Sequence, residues 1–273
     1  MKAIIGTQYG SPDVLQVQEV AKPTPKRSVL MRSRMMYSRL IGALFLLGFL
    51  SYGVGFALIT SLVSAPDFLA TIAAHQTTLV IGALLMLLNT AVDVGKAVLF
   101  FPILENHGKR TALAYLATMI VEVVLLAVGV LALLMIVPLA QQAASAGAAS
   151  VGWANALGSL LVQSNAMAYQ IAEMTLGVGC VFLCTLLLRT RLIPRWLSIA
   201  GLIGYPILVA GTIAEIFGIH IGVQLTIPGM FFELVLPFWL MIKGFQPEAY
   251  GAYELASTPG LVRLTTDARV TTM

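Results

Sequence analysis

Charged side chains are scarce in this sequence. Asp, Glu, Lys and Arg make up 10% of its 273 residues, against about 25% in a typical soluble domain. Hydrophobic residues make up 59% of the chain, and its mean hydropathy is +0.92. So little charge cannot cover a surface that faces water, which excludes an ordinary soluble domain. The composition predicts a protein whose main solvent is lipid.

Cysteine and histidine are also rare, and they do not form catalytic or metal-binding motifs. Cys180 and Cys184 are the only cysteines, and their spacing within one apolar run suits packing on one helix face, not a disulfide framework or a zinc site. The three histidines lie outside the centres of the apolar runs, and no HExxH, GxSxG or P-loop motif occurs. The sequence therefore predicts no cofactor and favours a protein that is not an enzyme.

Six apolar runs are each long enough to cross a bilayer, which takes about 20 residues in a helix. They cover 40–63, 78–104, 111–139, 166–188, 195–217 and 222–243. Of the 16 Lys and Arg residues, all but Lys96 lie in the N-terminal tail, near 109–110, near 189–195, or at the C-terminal side. Because basic residues are retained in the cytoplasm, we predict an all-α bundle of six transmembrane helices with both termini cytoplasmic. These positions predict lipid headgroups, and not nucleic acid, as the partner of the basic residues.

Composition divides the chain into three parts. Residues 1–36 form an N-terminal extension, 37–245 form the membrane domain, and 246–273 form a polar cytoplasmic tail that we predict to be disordered. The uncharged connection 141–165 fits either a short interfacial helix over 156–162 or a flexible loop on the membrane surface. The sequence is compatible with a monomer and with a homo-oligomer.

Polar and ionisable side chains interrupt the apolar runs. Six of them are candidates for a binding or transport site: Asn89, Asp93, Lys96, Glu122, Glu173 and Glu233. Asn89, Asp93 and Lys96 share one helical face, because they are four and then three residues apart. Ionisable residues inside a bilayer nearly always face protein or water. We therefore expect the polar faces of the helices to converge.

These side chains allow two interpretations of their role in the membrane. In the first, they bind the helices together through hydrogen bonds worth about 0.6 kcal/mol each. In the second, they form a site for protons, cations or a small solute. Asp93, Glu122 and Glu233 would then accept protons or coordinate a cation, and Lys96 would set the field around them. One lysine cannot neutralise three acids, so protons or another cation would have to enter.

A third interpretation is a membrane-embedded enzyme that uses a metal near the outer face. Carboxylates and imidazoles are common ligands of divalent metals. Four residues near the predicted outer boundary are weak candidates for such ligands: Glu173, Glu215, His75 and His220. The interpretation depends on the fold bringing these four together.

Two segments of the membrane domain resemble a known family. RTRLIPRWLSIAGLIGYPILVAG, at 189–211, and PGMFFELVLPFWLMIKGF, at 228–245, resemble the bacterial membrane proteins of domain of unknown function 4386. The resemblance extends over about 37–245. It implies a multi-pass protein of a bacterial inner membrane, and it implies no reaction, substrate or cofactor.

The N-terminal extension resembles a different family. Residues 1–26, MKAIIGTQYGSPDVLQVQEVAKPTPK, alternate apolar and polar residues around GSPD, a pattern that predicts a β-hairpin. They are similar to the start of zinc-type medium-chain alcohol dehydrogenases and quinone reductases. The nucleotide-binding motif and the catalytic residues of that family do not follow, so the resemblance implies no oxidoreductase activity. We interpret 1–36 either as a relic of gene fusion or as sequence upstream of a true start at Met31, Met35 or Met36.

Overall fold

The computed structural model describes residues 2–6, 15–19, 27–145 and 151–250, with side chains from residue 33 onward except 151 and 223. In chain order the elements are β1 (Lys2–Gly6), β2 (Leu15–Glu19), α1 (Arg27–Val63), α2 (Phe68–Ala74), α3 (Gln76–Leu134), α4 (Ile136–Ser145), α5 (Val151–Thr190), α6 (Arg195–Ile216) and α7 (Gly222–Ile242). From residue 27 onward every one of these elements is a helix, which confirms the prediction of an all-α membrane domain.

The two strands precede the helices and pair with each other. They are antiparallel, with Lys2 opposite Glu19 and Gly6 opposite Leu15, the pairing that the alternating sequence predicts. The predicted GSPD turn lies outside the described residues. Helix α1 begins at Arg27, well before the predicted first span at residue 40, because the intervening basic segment contains no proline or glycine and is rich in good helix formers.

Helix α3 folds back on itself at Gly108. This residue has φ 172° and ψ 76°, outside the helical region, and it divides α3 into two arms, 76–107 and 109–134. The rings of Phe100 and Tyr115, one in each arm, make an edge contact with their centroids 6.3 Å apart. In a straight helix the same two residues would be separated by about 22 Å. The two arms are therefore antiparallel neighbours.

Five helical segments are long and apolar enough to cross a membrane. They are Ser33–Val63, Gln76–Ser145, Gly152–Thr190, Arg195–Ile216 and Gln224–Ile242. Large apolar side chains are exposed along them, such as Leu131 at 59% and Ile203 at 57%. Water would solvate such faces poorly, whereas lipid solvates them well. The chain is a multi-pass membrane protein.

At the end of the bundle opposite Gly108, α2, α4 and the start of α5 pack into a cap. Its buried side chains include Leu69, Leu139 and Ala154. Gly158 of α5 lies against the ring of Phe68, so closely that a Cβ at Gly158 would be 2.8 Å from a ring carbon. The start of α5 therefore has an apolar partner outside the main bundle.

This cap corrects the prediction for 141–165. Helix α4 extends to Ser145, and α5 runs without interruption from Val151 through 156–162 to Thr190. Residues 151–165 are therefore neither a separate short helix nor a flexible loop. Residues 146–150 lie outside the described residues. The segment is helical because it contains no proline, is rich in alanine and leucine, and packs against α2.

The described chain ends in a packed segment near Gly108. Phe245 and Tyr250 are buried, with their rings stacked at 6.2 Å, and Phe245 also contacts Phe100 at 5.9 Å. The Gln246 main-chain N–H donates to the Leu192 carbonyl at 2.8 Å. The chain is therefore packed as far as Tyr250, within the segment that the sequence analysis places in the tail. The predicted disorder of 251–273 falls outside the described residues.

Small residues let α6 approach its neighbours closely. A Cβ on Gly204 would lie 2.6 Å from the main-chain carbonyl oxygen of Pro228 on α7. On the same face, Gly201 lies against the Cys184 sulfur of α5. Cys180 and Cys184 are both free and buried, which confirms their predicted packing role.

Candidate functional site

The six polar residues singled out from the sequence line one cavity inside the bundle. The cavity has a volume of about 220 Å³, and its walls come from α1, both arms of α3, α5, α6 and α7. The polar residues in the walls are Asn89, Asp93, Lys96, Glu122, Glu173 and Glu233, with Tyr52, Tyr169 and Thr226. Gly53 and Met230 also line it, and both are exposed. The cavity therefore reaches the surface of the bundle between α1 and α7.

The first arm of α3 contributes a self-contained polar group. Lys96 and Asp93 form an ion pair one turn apart, and both are largely buried. The Asn89 amide donates a hydrogen bond to the other carboxylate oxygen of Asp93, Oδ2, at 2.7 Å. Helix α1 passes directly over this group because Gly48 has no side chain: a Cβ there would lie 2.9 Å from Asn89 Oδ1. Asp93 is therefore satisfied within its own helix.

The Lys96 ammonium has a second contact, with an aromatic ring. Its Nζ lies 4.3 Å from the centroid of the Phe45 ring on α1. The negative face of an aromatic ring attracts a cation, most strongly where water is excluded. Phe45 thus adds to the stabilisation that Asp93 gives the ammonium and helps to fix the lysine in the cavity wall.

Glu122, on the second arm of α3, is the least satisfied acid of the site. The residue is 3% exposed, and its Oε2 atom is buried without a hydrogen-bond partner among the described residues. A buried carboxylate oxygen with no donor costs folding free energy. Glu122 is therefore the acid whose hydrogen-bonding capacity the described residues leave unfilled.

Glu173 and Glu233 complete the acidic lining. Tyr169 lies one turn before Glu173 on α5, and its ring stacks on Tyr52 of α1 with centroids 5.8 Å apart. On α7, Glu233 Oε1 accepts a hydrogen bond from the Tyr205 hydroxyl of α6 at 3.0 Å. A tyrosine of the neighbouring helix thus holds Glu233 in place, and Glu173 lies beside a tyrosine of its own helix.

The cavity has more acids than bases. Its lining contains Asp93 and three glutamates, and Lys96 is its one basic residue. After Asp93 and Lys96 neutralise each other, the three glutamates still have no basic partner in the lining. Burying several like charges is very costly. The arrangement therefore favours the entry of protons or of a cation.

The residues suggested as metal ligands near the outer face do not come together. Glu173 lines the cavity, whereas Glu215 accepts the Gly222 main-chain N–H at 2.8 Å and lies 3.0 Å from His220 Nδ1. His75 is exposed, with its Nδ1 atom 3.1 Å from the carbonyl of its own helical turn. Among the residues that the structure describes, no group of three or more His, Cys, Asp and Glu side chains is close enough to hold a metal ion. Glu215 instead caps the first turn of α7.

Sequence reasoning missed the aromatic part of the site. Tyr52, Tyr169, Tyr205 and Phe45 either line the cavity or hold an acid that does. One local signal was available, because Tyr169 precedes Glu173 by four residues and so shares its helical face. The contacts of the other three cross between helices, and a single sequence does not reveal which helices are neighbours.

Fold and cavity together define a multi-pass helical membrane protein with a polar, acid-rich interior. Residues 40–244 match the family described as a domain of unknown function, DUF4386. The match covers most of the chain and all residues of the cavity lining, and the chain belongs to this family. No curated protein and no solved structure matches it. The match begins after the N-terminal extension, whose resemblance to alcohol dehydrogenases stays a prediction.

Proposed function

We propose that the chain crosses a bacterial inner membrane six times, with both termini in the cytoplasm. The segment Gln76–Ser145 has 70 residues, about 105 Å of helix, whereas the hydrocarbon core is about 30 Å thick. Its fold-back at Gly108 divides it into two crossings. Lys109 and Arg110 follow this bend, and cytoplasmic loops retain basic residues.

Reporter fusions test this topology. A fluorescent protein fused after Arg110, or at the C-terminus, should fold and fluoresce because it stays in the cytoplasm. Alkaline phosphatase inserted within 146–150 should be active because it is exported. Active phosphatase after Arg110 would contradict the six-span arrangement.

We further propose that the cavity is an intramembrane site for protons, cations or a small solute. The observation that carries this proposal is the meeting of six polar side chains, from both arms of α3, from α5 and from α7, around an unfilled volume of about 220 Å³. Side chains that served only to hold helices together would close on one another in a filled core. Glu122 Oε2 instead has no partner among the residues that the structure describes, which supports a site that receives something from outside.

Flux into proteoliposomes tests the proposed site. The purified protein would be reconstituted and assayed with sodium, potassium, small amines and amino acids at several pH values, using an internal pH dye to follow protons. Glu122→Gln keeps the shape of the side chain and removes its charge, so we expect it to reduce protein-dependent flux at least about tenfold. Glu248→Gln makes the same chemical change at an exposed position outside the cavity and should leave flux unchanged. Equal flux in wild type and Glu122→Gln would contradict the proposed site.

A further inference from the structure

The unpartnered oxygen of Glu122 indicates what kind of ligand the cavity accepts. A carboxylate oxygen accepts hydrogen bonds and cannot donate them. Glu122 lines the cavity, and its Oε2 atom has no partner among the described residues, so a ligand in the cavity can supply one once the carboxyl group turns towards it. For an ionised Glu122 this partner is a hydrogen-bond donor or a cation.

The charges of the lining favour a cation over a neutral donor. Lys96 is already engaged by Asp93 and by the ring of Phe45, so it does not neutralise the three glutamates. An anionic ligand would meet these glutamates with no free base in the lining. A positively charged ligand would offset the charge of the lining and satisfy Glu122 at the same time.

The size of the cavity favours an organic ligand over a bare metal ion. Its volume of about 220 Å³ exceeds that of the roughly 150 Å³ engineered cavity that binds benzene. A bare metal ion would need several ligating side chains close together, and the described residues contain no such group. A molecule with a compact apolar body and one charged group matches both the volume and the single open carboxylate.

The aromatic walls supply the apolar part of such a site. Phe45, Phe49, Tyr52 and Tyr169 all line the cavity. The Lys96 ammonium on the Phe45 ring, at 4.3 Å, shows that this wall already binds an ammonium group by a cation–π contact. Aromatic rings beside carboxylates are the arrangement by which proteins recognise organic ammonium ions.

We propose that the cavity binds a small organic ammonium ion, with its charged nitrogen on Glu122 and its apolar body along Tyr52 and Tyr169. This inference rests on the proposed function of the cavity as a site, and it names the class of ligand. The exposed residues Gly53 and Met230 at the rim place the opening between α1 and α7, where lipid surrounds the helices. A ligand with an apolar body can reach this opening from the bilayer.

Binding of matched probes to the purified full chain in detergent tests the proposal. Benzylamine is the cationic probe, benzyl alcohol is its neutral counterpart and benzoate is the anionic one, and isothermal titration calorimetry gives the three dissociation constants. We expect benzylamine to bind about 10- to 100-fold more tightly than benzyl alcohol, the range that corresponds to one charge-assisted hydrogen bond. Benzoate should bind more weakly than either.

Two variants assign the binding to the cavity. Glu122→Gln should lose the preference for benzylamine over benzyl alcohol, and Glu248→Gln should keep it. If Glu122→Gln fails to fold, as judged by gel filtration, the comparison of the three probes on the wild type still decides whether the protein prefers an ammonium ion. Equal binding of benzylamine and benzyl alcohol by the wild type would overturn the inference, as would an unchanged preference in a folded Glu122→Gln protein.

Binding and flux, measured on the same purified protein, distinguish a failure of this inference from a failure of the proposed function on which it rests. If benzylamine fails to bind while flux of sodium ions or protons depends on Glu122, the ammonium ligand is wrong and the site remains. If benzylamine fails to bind and flux is also independent of Glu122, both proposals are wrong.

Discussion

Replacing Lys96 by methionine tests how the cavity holds its charges. The Lys96 side chain is 12% exposed and its partner Asp93 is 7% exposed, so their ion pair is buried. Without the ammonium, Asp93 retains only the Asn89 amide. Removing one partner of a buried ion pair costs about 3–5 kcal/mol. Because Asn89 still satisfies one carboxylate oxygen, we expect Lys96→Met to lower the free energy of unfolding by about 3 kcal/mol.

The opposite substitution, Asp93→Asn, should cost less. Lys96 keeps its contact with the Phe45 ring, at 4.3 Å, and shares the lining with three glutamates, so the ammonium keeps favourable neighbours when Asp93 loses its charge. We expect a loss of about 1–2 kcal/mol, near that of one hydrogen bond to a charged group. The double substitution Lys96→Met with Asp93→Leu removes both charges. It should recover most of the loss, because an apolar pair can replace a buried ion pair at little cost.

Equilibrium unfolding in dodecylmaltoside micelles titrated with sodium dodecyl sulfate measures these free energies, with helix content followed by circular dichroism. We expect a larger loss for Lys96→Met than for Asp93→Asn, and a double variant more stable than Lys96→Met. A cost under about 1 kcal/mol for both single substitutions, or a loss in the double variant equal to the sum of the two, would refute this expectation.

Two further predictions concern packing and capping around the site. Gly55→Ala should lower the free energy of unfolding by about 1–3 kcal/mol, because its Cβ would lie 2.6 Å from the Gly82 carbonyl oxygen. Gly53 is two residues away, and a Cβ there would meet nothing within 4 Å, so Gly53→Ala should be neutral or stabilising by up to about 1 kcal/mol. Equal losses of unfolding free energy for the two variants in the same titration would contradict this contrast. Glu215→Ala removes the acceptor of the Gly222 N–H. It should lower the unfolding midpoint slightly and leave benzylamine binding unchanged. A loss of benzylamine binding would show that Glu215 belongs to the site.

The lining of the cavity could be predicted from sequence because lipid restricts where an ionisable group can lie. Helical spacing alone puts Asn89, Asp93 and Lys96 on one face. A bilayer penalises an outward-facing acid, so Glu122 and Glu233 had to be directed inward. The all-helical fold with several apolar helices could also be predicted, since the length and hydropathy of each run indicate a helix that can cross a membrane.

The remaining features depend on which helices are neighbours. The hydrogen bond from Tyr205 to Glu233 joins α6 to α7, and the sequence of neither helix contains that pairing. The start of α5 resembled a connection because it is less apolar than a span. Its helix is stabilised by Phe68, which packs on Gly158. The start of the predicted tail is packed for the same reason, since Phe245 contacts Phe100 and Gln246 donates to the Leu192 carbonyl, both distant in sequence.

Reaction of engineered cysteines with a charged thiol reagent tests most directly whether the acids face one accessible cavity. In a background with both native cysteines replaced by alanine, Glu122→Cys, Glu173→Cys and Glu233→Cys would be treated with aminoethyl methanethiosulfonate in native membranes. Leu131→Cys is the control, because Leu131 is 59% exposed on an apolar face where lipid suppresses formation of the reactive thiolate. The account predicts that the three cavity cysteines react readily and that the control does not. Cavity cysteines that react no faster than Leu131→Cys would contradict it.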